Sequence, residues 1–198
     1  LIDPTVAEAR DGRLLQAIPG GVEIEFTLEP DLQESAKQAL ARYEVEHGAL
    51  VALDPATGEI LAYAEHTEGK PGLHHLPIQA NGPAASIFKL VTTTALLEQG
   101  LTPTSTICTR GGLRKLTLNH LRADAKRDNR CETLAEAFGA STNAAFARWA
   151  DEHLDTALLE DASSRFLFGR RLPFLFGVGV SAPVIPTGSR LGFARAAA

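Results

Sequence analysis

The sequence predicts a mixed α/β (α+β) protein in which an antiparallel sheet is flanked by helices. Three observations predict this fold class. Apolar and charged residues alternate over residues 22–28, as in a half-buried strand. Two apolar runs, 48–53 and 59–63, flank a turn-forming segment, as in a β-hairpin. Beyond the hairpin, apolar residues recur mostly at the spacing of helices.

The first element follows a short lead-in. Residues 1–21 are predicted to be a lead-in segment that ends in Pro-Gly-Gly, and residues 22–198 to form one domain. After the strand at 22–28, Asp31 is the predicted N-cap of a helix that Gly48 ends. We expect this helix to have a packing role.

The hairpin turns at residues 54–58, where Pro comes early and Gly comes late. Residues 65–82 are rich in Gly, His and Pro, which predicts a loop. The next helix is predicted over residues 84–99, with Pro83 at its start and Gly100 at its end.

The second half is less regular. Residues 101–130 are polar and are predicted to be mostly loop and turn. Thr133 begins a capping-box pattern that opens a helix ending at Gly139. A helical pattern resumes over 144–149. From residue 163 onward the aromatic, Gly- and Pro-rich sequence assigns no element.

Composition narrows the function classes. The 198 residues are 44% hydrophobic and 22% charged, which is typical of a folded globular chain. The net charge of −5 lacks the basic excess of nucleic-acid-binding proteins, so no nucleic-acid partner is expected. No apolar run approaches the roughly 20 residues of a membrane span. Because the chain begins at Leu1 and contains no Met, we expect a processed or cut piece of something longer.

Cys108 and Cys131 are the two cysteines, and 22 residues separate them. A disulfide between them would stabilise the fold by about 3 kcal/mol and imply an oxidising compartment. The alternative is two buried free thiols. A zinc site with His120 is not favoured, because structural zinc sites use pairs of closely spaced ligands.

Several further residues are predicted to be structural. His74 and His75 form a solvated pair in a polar loop, and Trp149 lies at helical spacing from Phe146 and belongs to the core. A diffuse basic stretch is predicted to be a solvated face, with contact to an anionic glycan or a partner as the alternative. Its members are Arg110, Arg114, Lys115, Arg122, Lys126, Arg127 and Arg130.

The sharpest chemical feature is Ser86 followed three residues later by Lys89. On a helix the two side chains lie on one face. Serine is a poor nucleophile without an adjacent base, and lysine is a base only when burial or a nearby positive charge lowers its pKa. With 8 Ser and 5 Lys in the chain, such a pair arises by chance roughly 0.2 times, so the match alone does not establish catalysis.

A second polar group, Ser141-Thr142-Asn143, lies in the break between two helical runs. At such a junction Ser141 could relay a proton and Asn143 could hold a substrate amide. The alternative is an ordinary helix cap, because Ser and Asn favour helix starts.

Together these two motifs resemble those of the penicillin-binding proteins and serine β-lactamases. Residues 27–33 resemble the segment that opens the transpeptidase domain, and residues 48–62 resemble its first hairpin. Residues 83–89 resemble the nucleophile segment, and 134–143 the approach to the second motif. The resemblance runs from about residue 22 to 150 and is closer to the transpeptidases than to the β-lactamases.

This resemblance implies a peptidoglycan D,D-transpeptidase. Ser86 would attack the penultimate D-alanine carbonyl of a stem peptide, and Lys89 would take its proton. Ser141 and Asn143 would handle the leaving group and the substrate. The acyl-enzyme would pass to an amine of a neighbouring stem, and β-lactam antibiotics would acylate the same serine.

The resemblance also implies an environment. A periplasmic or extracytoplasmic protein is expected, anchored to the membrane by a segment absent from this chain. Other cell-wall synthesis proteins are expected partners, and no cofactor or metal is expected.

One family feature is missing. The family carries a third motif, Lys-Thr-Gly or Lys-Ser-Gly, and this chain has no such triplet. The nearest string, Pro-Thr-Gly-Ser at 186–189, lacks the lysine and follows Ser141 by only 45 residues, so it is predicted to be a loop. We therefore expect the N-terminal two-thirds of the domain, without its C-terminal strands, or a degenerate homologue.

Two other functions remain open at this point. One is a D,D-carboxypeptidase or β-lactamase, in which water is the acceptor. The other is a catalytically inactive sensor or scaffold that recognises penicillin.

Overall fold

The chain combines helices with antiparallel strands, as the sequence predicts. It forms two compact units, residues 1–81 and 82–198. The computed structural model describes residues 2–43, 45–68, 74–80, 82–112, 115–174 and 177–198.

The first unit opens with a three-stranded antiparallel sheet in the order β1 (Glu8–Arg10), β2 (Arg13–Ile18), β3 (Val22–Phe26). The third strand is the predicted one. The sequence assigned no element to residues 8–18, because most of their side chains are exposed and show no apolar alternation.

Helix α1 (Pro30–Arg42) differs from its prediction at both ends. Glu29 occupies the N-cap position and Pro30 the first helical position, where its fixed φ suits the helix, so the assignment of Asp31 as N-cap was wrong. Gly48 does not end the helix, because it lies in the next strand. A Cβ there would come within 2.8 Å of a Val45 methyl carbon, so close packing explains this glycine.

The predicted hairpin is confirmed as β4 (His47–Leu53) and β5 (Ile60–Thr67). Helix α1 packs against it through buried Gln33, whose amide donates to the carbonyl of Tyr63 at 2.8 Å. The same amide accepts from the Tyr63 N–H at 2.7 Å. These two bonds satisfy the backbone N–H and carbonyl of Tyr63 and hold the helix against the strand.

The predicted loop at 65–82 begins later than expected, since β5 extends to Thr67. Within the loop a 3₁₀ turn covers Leu76–Ile78. His74 is exposed and His75 is half-buried. Residues 69–73 and 81 of this prediction lie outside the described residues.

The second unit begins with a 3₁₀ turn, Ala85–Phe88, which continues into α2 (Lys89–Glu98). The sequence predicted one helix over 84–99, so its extent is nearly right and its first turn is tighter than expected.

Strands β6 (Thr106–Thr109) and β7 (Arg130–Thr133) form a two-stranded antiparallel sheet. The sequence predicted mostly loop over 101–130 and missed β6. A four-residue strand paired with a segment more than 20 positions away leaves no local pattern to detect.

Thr133 and Glu136 form the predicted capping box, and α3 (Leu134–Gly139) ends at the predicted glycine. The next helix, α4 (Asn143–His153), is buried from Ala144 to Ala150 and forms the centre of this unit.

Two helices complete the unit: α5 (Thr156–Arg165), capped by Asp155, and α6 (Arg190–Ala197), capped by Ser189. The sequence assigned neither. The core of this unit contains residues from each of the helices α2, α3, α4, α5 and α6. Trp149 is among them and is buried, as predicted. The other large apolar members of this core include Val91, Leu96, Leu134, Phe146, Leu159 and Phe193.

Candidate active site

Ser86 and Lys89 face each other across the turn that opens α2. Residues three apart eclipse in a 3₁₀ turn, so the tight turn at Ala85–Phe88 aligns the two side chains. The Lys89 amine donates a hydrogen bond to Ser86 Oγ at 3.0 Å. Ser86 is exposed and Lys89 is buried, so a ligand can reach the hydroxyl while the amine stays out of solvent.

The environment of Lys89 favours the neutral amine. The residue is 1% exposed, and its pKa lies below the ordinary lysine value because burial penalises the ammonium form. No carboxylate of the described residues forms an ion pair with Lys89. The Phe146 ring, with its centroid 5.7 Å from Nζ, favours the ammonium. Burial sets the direction of the pKa shift.

The second motif meets the first from the other side. Ser141 lies between α3 and α4, and Asn143 is the first residue of α4. They are 55 positions from Ser86 and 54 positions from Lys89, respectively. The Ser141 hydroxyl donates to Ser86 Oγ at 2.8 Å, and the Lys89 amine donates to Asn143 Oδ1 at 2.7 Å. All four residues singled out in the sequence therefore lie in one hydrogen-bonded cluster.

Two residues at this site have a left-handed backbone conformation. Ala85, directly before Ser86, has φ +48°, and Ser141 has φ +54°. Neither is glycine, so each conformation destabilises the fold by roughly 1–2 kcal/mol. Such strain is common at active sites, where the surrounding structure maintains it.

A cleft of about 580 Å³ opens at Ser86 and Asn143. One wall is residues 82–85, and the other is the segment 181–185. Phe88 and Phe168 also line it, packed edge to face with ring centroids 5.3 Å apart. The second wall could not be predicted from the sequence, because its residues have no local pattern and join the cleft only through the fold of the chain.

The string 186–189 is a loop, as predicted, followed by α6. Ser189 caps that helix by accepting from the Gly192 N–H at 3.0 Å. Residues 186–189 are not among the described residues that line the cleft.

A buried ionic network holds the segment between β6 and β7 against α4. Arg148, 2% exposed, donates to Asp128 at 2.8 Å and to the carbonyl oxygens of Cys108, His120 and Arg122. Arg110 also pairs with Asp128, at 2.6 Å. Hydrogen bonds from Arg148 above all hold the pKa of Asp128 well below its usual range.

This network corrects part of the predicted solvated basic face. Arg110 pairs with Asp128, and Arg130 pairs with Glu132 at 2.9 Å. Both carboxylates are buried. The prediction holds for the exposed members Lys115, Arg122, Lys126 and Arg127. Arg130 is also exposed, with 45% of its side chain accessible, and Arg114 lies outside the described residues.

Cys108 and Cys131 are opposite each other in the β6–β7 ladder and are joined by a disulfide with an S–S distance of 1.95 Å. Disulfide sulfurs do not serve as zinc thiolates. In the described residues, His, Cys, Asp and Glu side chains form no group of three that could hold a metal ion.

A known protein family matches most of the chain. The family described as the penicillin binding protein transpeptidase domain matches residues 48–176. The matched range contains the hairpin and both motifs. The chain belongs to the penicillin-binding protein transpeptidase family.

Particular relatives are more distant. The chain is 30% identical to peptidoglycan D,D-transpeptidase PbpA of Mycobacterium tuberculosis, over 66% of this chain and 33% of the relative. Penicillin-binding protein A from M. tuberculosis, solved as an imipenem acyl-enzyme complex, has a TM-score of 0.62 and 25% identity, covering 87% of this chain and 47% of that one.

Its ceftriaxone acyl-enzyme complex has a TM-score of 0.64 at 23% identity, over 86% of this chain and 45% of that one, and supports the fold alone. The chain thus spans a third of the length of the curated relative and less than half of each solved chain.

Proposed function

We propose that this chain catalyses peptidoglycan D,D-transpeptidation through a serine acyl-enzyme. The observation that carries the proposal is the Lys89 amine, buried and 3.0 Å from the Ser86 hydroxyl oxygen. A hydroxyl needs a base within hydrogen-bond reach, and a lysine can be that base when it is neutral. The tight turn places the amine within reach of the hydroxyl, and burial lowers the pKa of Lys89 in the direction of the neutral form.

In the proposed acylation, Ser86 Oγ forms a bond to the penultimate D-alanine carbonyl carbon of a stem peptide. Its proton passes to the Lys89 amine. The amide C–N bond then breaks, and the terminal D-alanine leaves after its nitrogen takes up a proton. An amine of a neighbouring stem attacks the resulting ester, which forms the cross-link and frees Ser86.

Ser141 and Asn143 have complementary roles in this scheme. The Ser141 hydroxyl, 2.8 Å from Ser86 Oγ, is placed to relay a proton towards the leaving nitrogen. Asn143 lines the cleft and accepts from Lys89, so its amide can orient both the base and a substrate amide. The proposal assigns these roles to side chains of this chain and includes no cofactor.

The proposed location is the periplasm or another extracytoplasmic compartment, with attachment to the membrane and contact with other cell-wall synthesis proteins. The Cys108–Cys131 disulfide suits an oxidising compartment. None of the helices in the described ranges combines the length and apolar character of a membrane-spanning segment.

Labelled penicillin tests the acylation. The wild-type protein should form a stable adduct on Ser86, the Ser86→Ala variant should form none, and Ser35→Ala, which changes an exposed serine of α1, should label normally. Equal labelling of wild type and Ser86→Ala would contradict the assignment of the nucleophile.

Stem peptides then distinguish the reactions. A cross-linked product from a donor and an acceptor stem supports transpeptidation. Release of D-alanine without a cross-link indicates a D,D-carboxypeptidase, and rapid turnover of penicillin indicates a β-lactamase. An adduct without any reaction of stem peptides indicates a sensor or scaffold.

A further inference from the structure

Arg130 reaches the proposed active site from the strand that the disulfide holds. It is the first residue of β7 and lies opposite Thr109 of β6, one position from the Cys108–Cys131 pair. Strand pairing and the disulfide therefore fix its backbone. Glu132, two residues along the same strand and on the same face, accepts from Arg130 Nε at 2.9 Å and is 6% exposed.

The other arm of the guanidinium contacts the second motif. Arg130 Nη2 donates to Thr142 Oγ1 at 3.1 Å. Thr142 is 1% exposed and stands between Ser141 and Asn143. A guanidinium has donors in a fixed fork, so a single Arg130 side chain can satisfy Glu132 and Thr142 together.

The use of the Thr142 hydroxyl is unusual for its position. Thr142 is the N-cap residue of α4, and a threonine there normally accepts from a backbone N–H of the first helical turn. Here its side chain makes no such capping bond within the described residues. The hydroxyl accepts from Arg130 instead, so a contact from outside the helix takes the place of a local one.

This contact bears on both neighbours of Thr142. Ser141 has a left-handed backbone conformation, which persists only where surrounding contacts hold it. The backbone N–H of Thr142 donates to the Ala137 carbonyl at 2.9 Å, and Arg130 holds its side chain. These two bonds therefore anchor the segment that directs Ser141 and Asn143 towards Ser86 and Lys89.

We propose that Arg130 is a positioning residue for acylation, acting through the Thr142 hydroxyl on Ser141 and Asn143. The inference rests on the proposed function, because it concerns the rate at which Ser86 is acylated. Its action is geometric. Glu132 pairs with the guanidinium, and burial alone accounts for the lowered Lys89 pKa.

A double-mutant cycle tests this role. The second-order rate of acylation by a fluorescent penicillin is measured for wild type, Arg130→Ala, Thr142→Val and the double variant. Each single variant should lose about tenfold to a hundredfold, the scale of a small misplacement of catalytic groups. The double variant should lose no more than either single variant, because both substitutions remove the same hydrogen bond. Multiplicative losses would overturn the proposal.

The controls separate positioning from general destabilisation. Arg165→Ala removes an arginine with the same 45% side-chain exposure and an ion pair to Glu98 far along α2, and it should leave the acylation rate unchanged. Thr142→Ser keeps the hydroxyl and should restore most of the rate that Thr142→Val loses. The midpoint of the pH–rate profile should be the same in Arg130→Ala as in wild type, and a displaced midpoint would contradict a geometric role.

The outcomes distinguish this inference from the proposed function. If the wild-type protein is not acylated at all, both fail. If the wild-type protein is acylated and Arg130→Ala matches it, only the positioning role fails. If Arg130→Ala does not fold, comparison of Thr142→Val with Thr142→Ser decides, since both keep the Arg130–Glu132 pair, and equal rates for these two variants would overturn the inference.

Discussion

Replacing Lys89 by methionine removes the amine 3.0 Å from Ser86 Oγ and keeps a side chain of similar length. A positioned general base contributes roughly 10²- to 10⁴-fold to a rate, equivalent to about 3–5 kcal/mol of activation free energy. We therefore expect Lys89→Met to lose acylation by labelled penicillin on that scale. The measurement is the second-order rate constant of adduct formation.

The same reasoning predicts how the acylation rate changes with pH. Only the neutral amine can take the proton, so the wild-type rate should rise as pH rises through the folded-state pKa of Lys89. Burial lowers that pKa, so the rise should be centred below the ordinary lysine value. In Lys89→Met the rise should disappear.

The lowered pKa of Lys89 also makes the stability of the fold depend on pH. The folded state binds fewer protons than the unfolded chain between the lowered pKa and the ordinary one, so wild-type stability should increase with pH across that window. In Lys89→Met the two lost hydrogen bonds destabilise by about 1 kcal/mol each. Removal of a buried amine opposes this by roughly 1–3 kcal/mol. The variant should therefore still fold.

Lys37→Met is the matched control, because Lys37 is an exposed lysine of α1 and its loss should leave the rate unchanged. Two results would refute the reasoning. One is a Lys89→Met protein acylated at the wild-type rate. The other is a wild-type profile that rises only near the ordinary lysine pKa.

The remaining predictions concern the structure around the site. Arg148→Met should lower the free energy of unfolding by about 3–5 kcal/mol in urea, since it leaves buried Asp128 without its main partner. Reduction of the Cys108–Cys131 disulfide should lower it by about 3 kcal/mol, the effect of releasing a loop of this length. Ala85→Gly should raise the thermal midpoint or leave it unchanged, because glycine adopts φ +48° without strain and this offsets its greater unfolded entropy.

Each of these has a matched comparison. Arg165→Met, at an exposed ion pair, should barely change the urea midpoint, and equal losses for it and Arg148→Met would contradict the role of burial. A Cys108→Ser, Cys131→Ser protein should be insensitive to reductant. Ala84 has φ −62°, so Ala84→Gly should lower the thermal midpoint, and the same effect for Ala85→Gly would argue against strain.

Sequence prediction succeeded where neighbouring residues determine the structure. The hairpin β4–β5 follows from two apolar runs and the turn-forming residues between them. The capping box at Thr133 depends on two side chains three positions apart. The alignment of Ser86 with Lys89 follows from the geometry of a single turn.

Sequence prediction failed where contacts between distant segments of the chain determine the structure. Strand β6 exists because β7 pairs with it. Gly48 has the spacing of a helix stop, yet contacts with Leu40 and Val45 explain it. Arg130 belonged to a predicted solvated face, and its partners Glu132 and Thr142 become visible only in the folded chain.

For this protein, the sequence by itself determined the identity of the chemical groups and the local geometry of the pair Ser86 and Lys89, because one helical turn spans them. Only the tertiary structure decided that Lys89 is buried and that Ser141 and Asn143 reach it from more than 50 positions away. The physical reason is that solvent exclusion depends on what packs around a group, and the residues of α4 and α6 that line the cleft at this site come from remote parts of the chain.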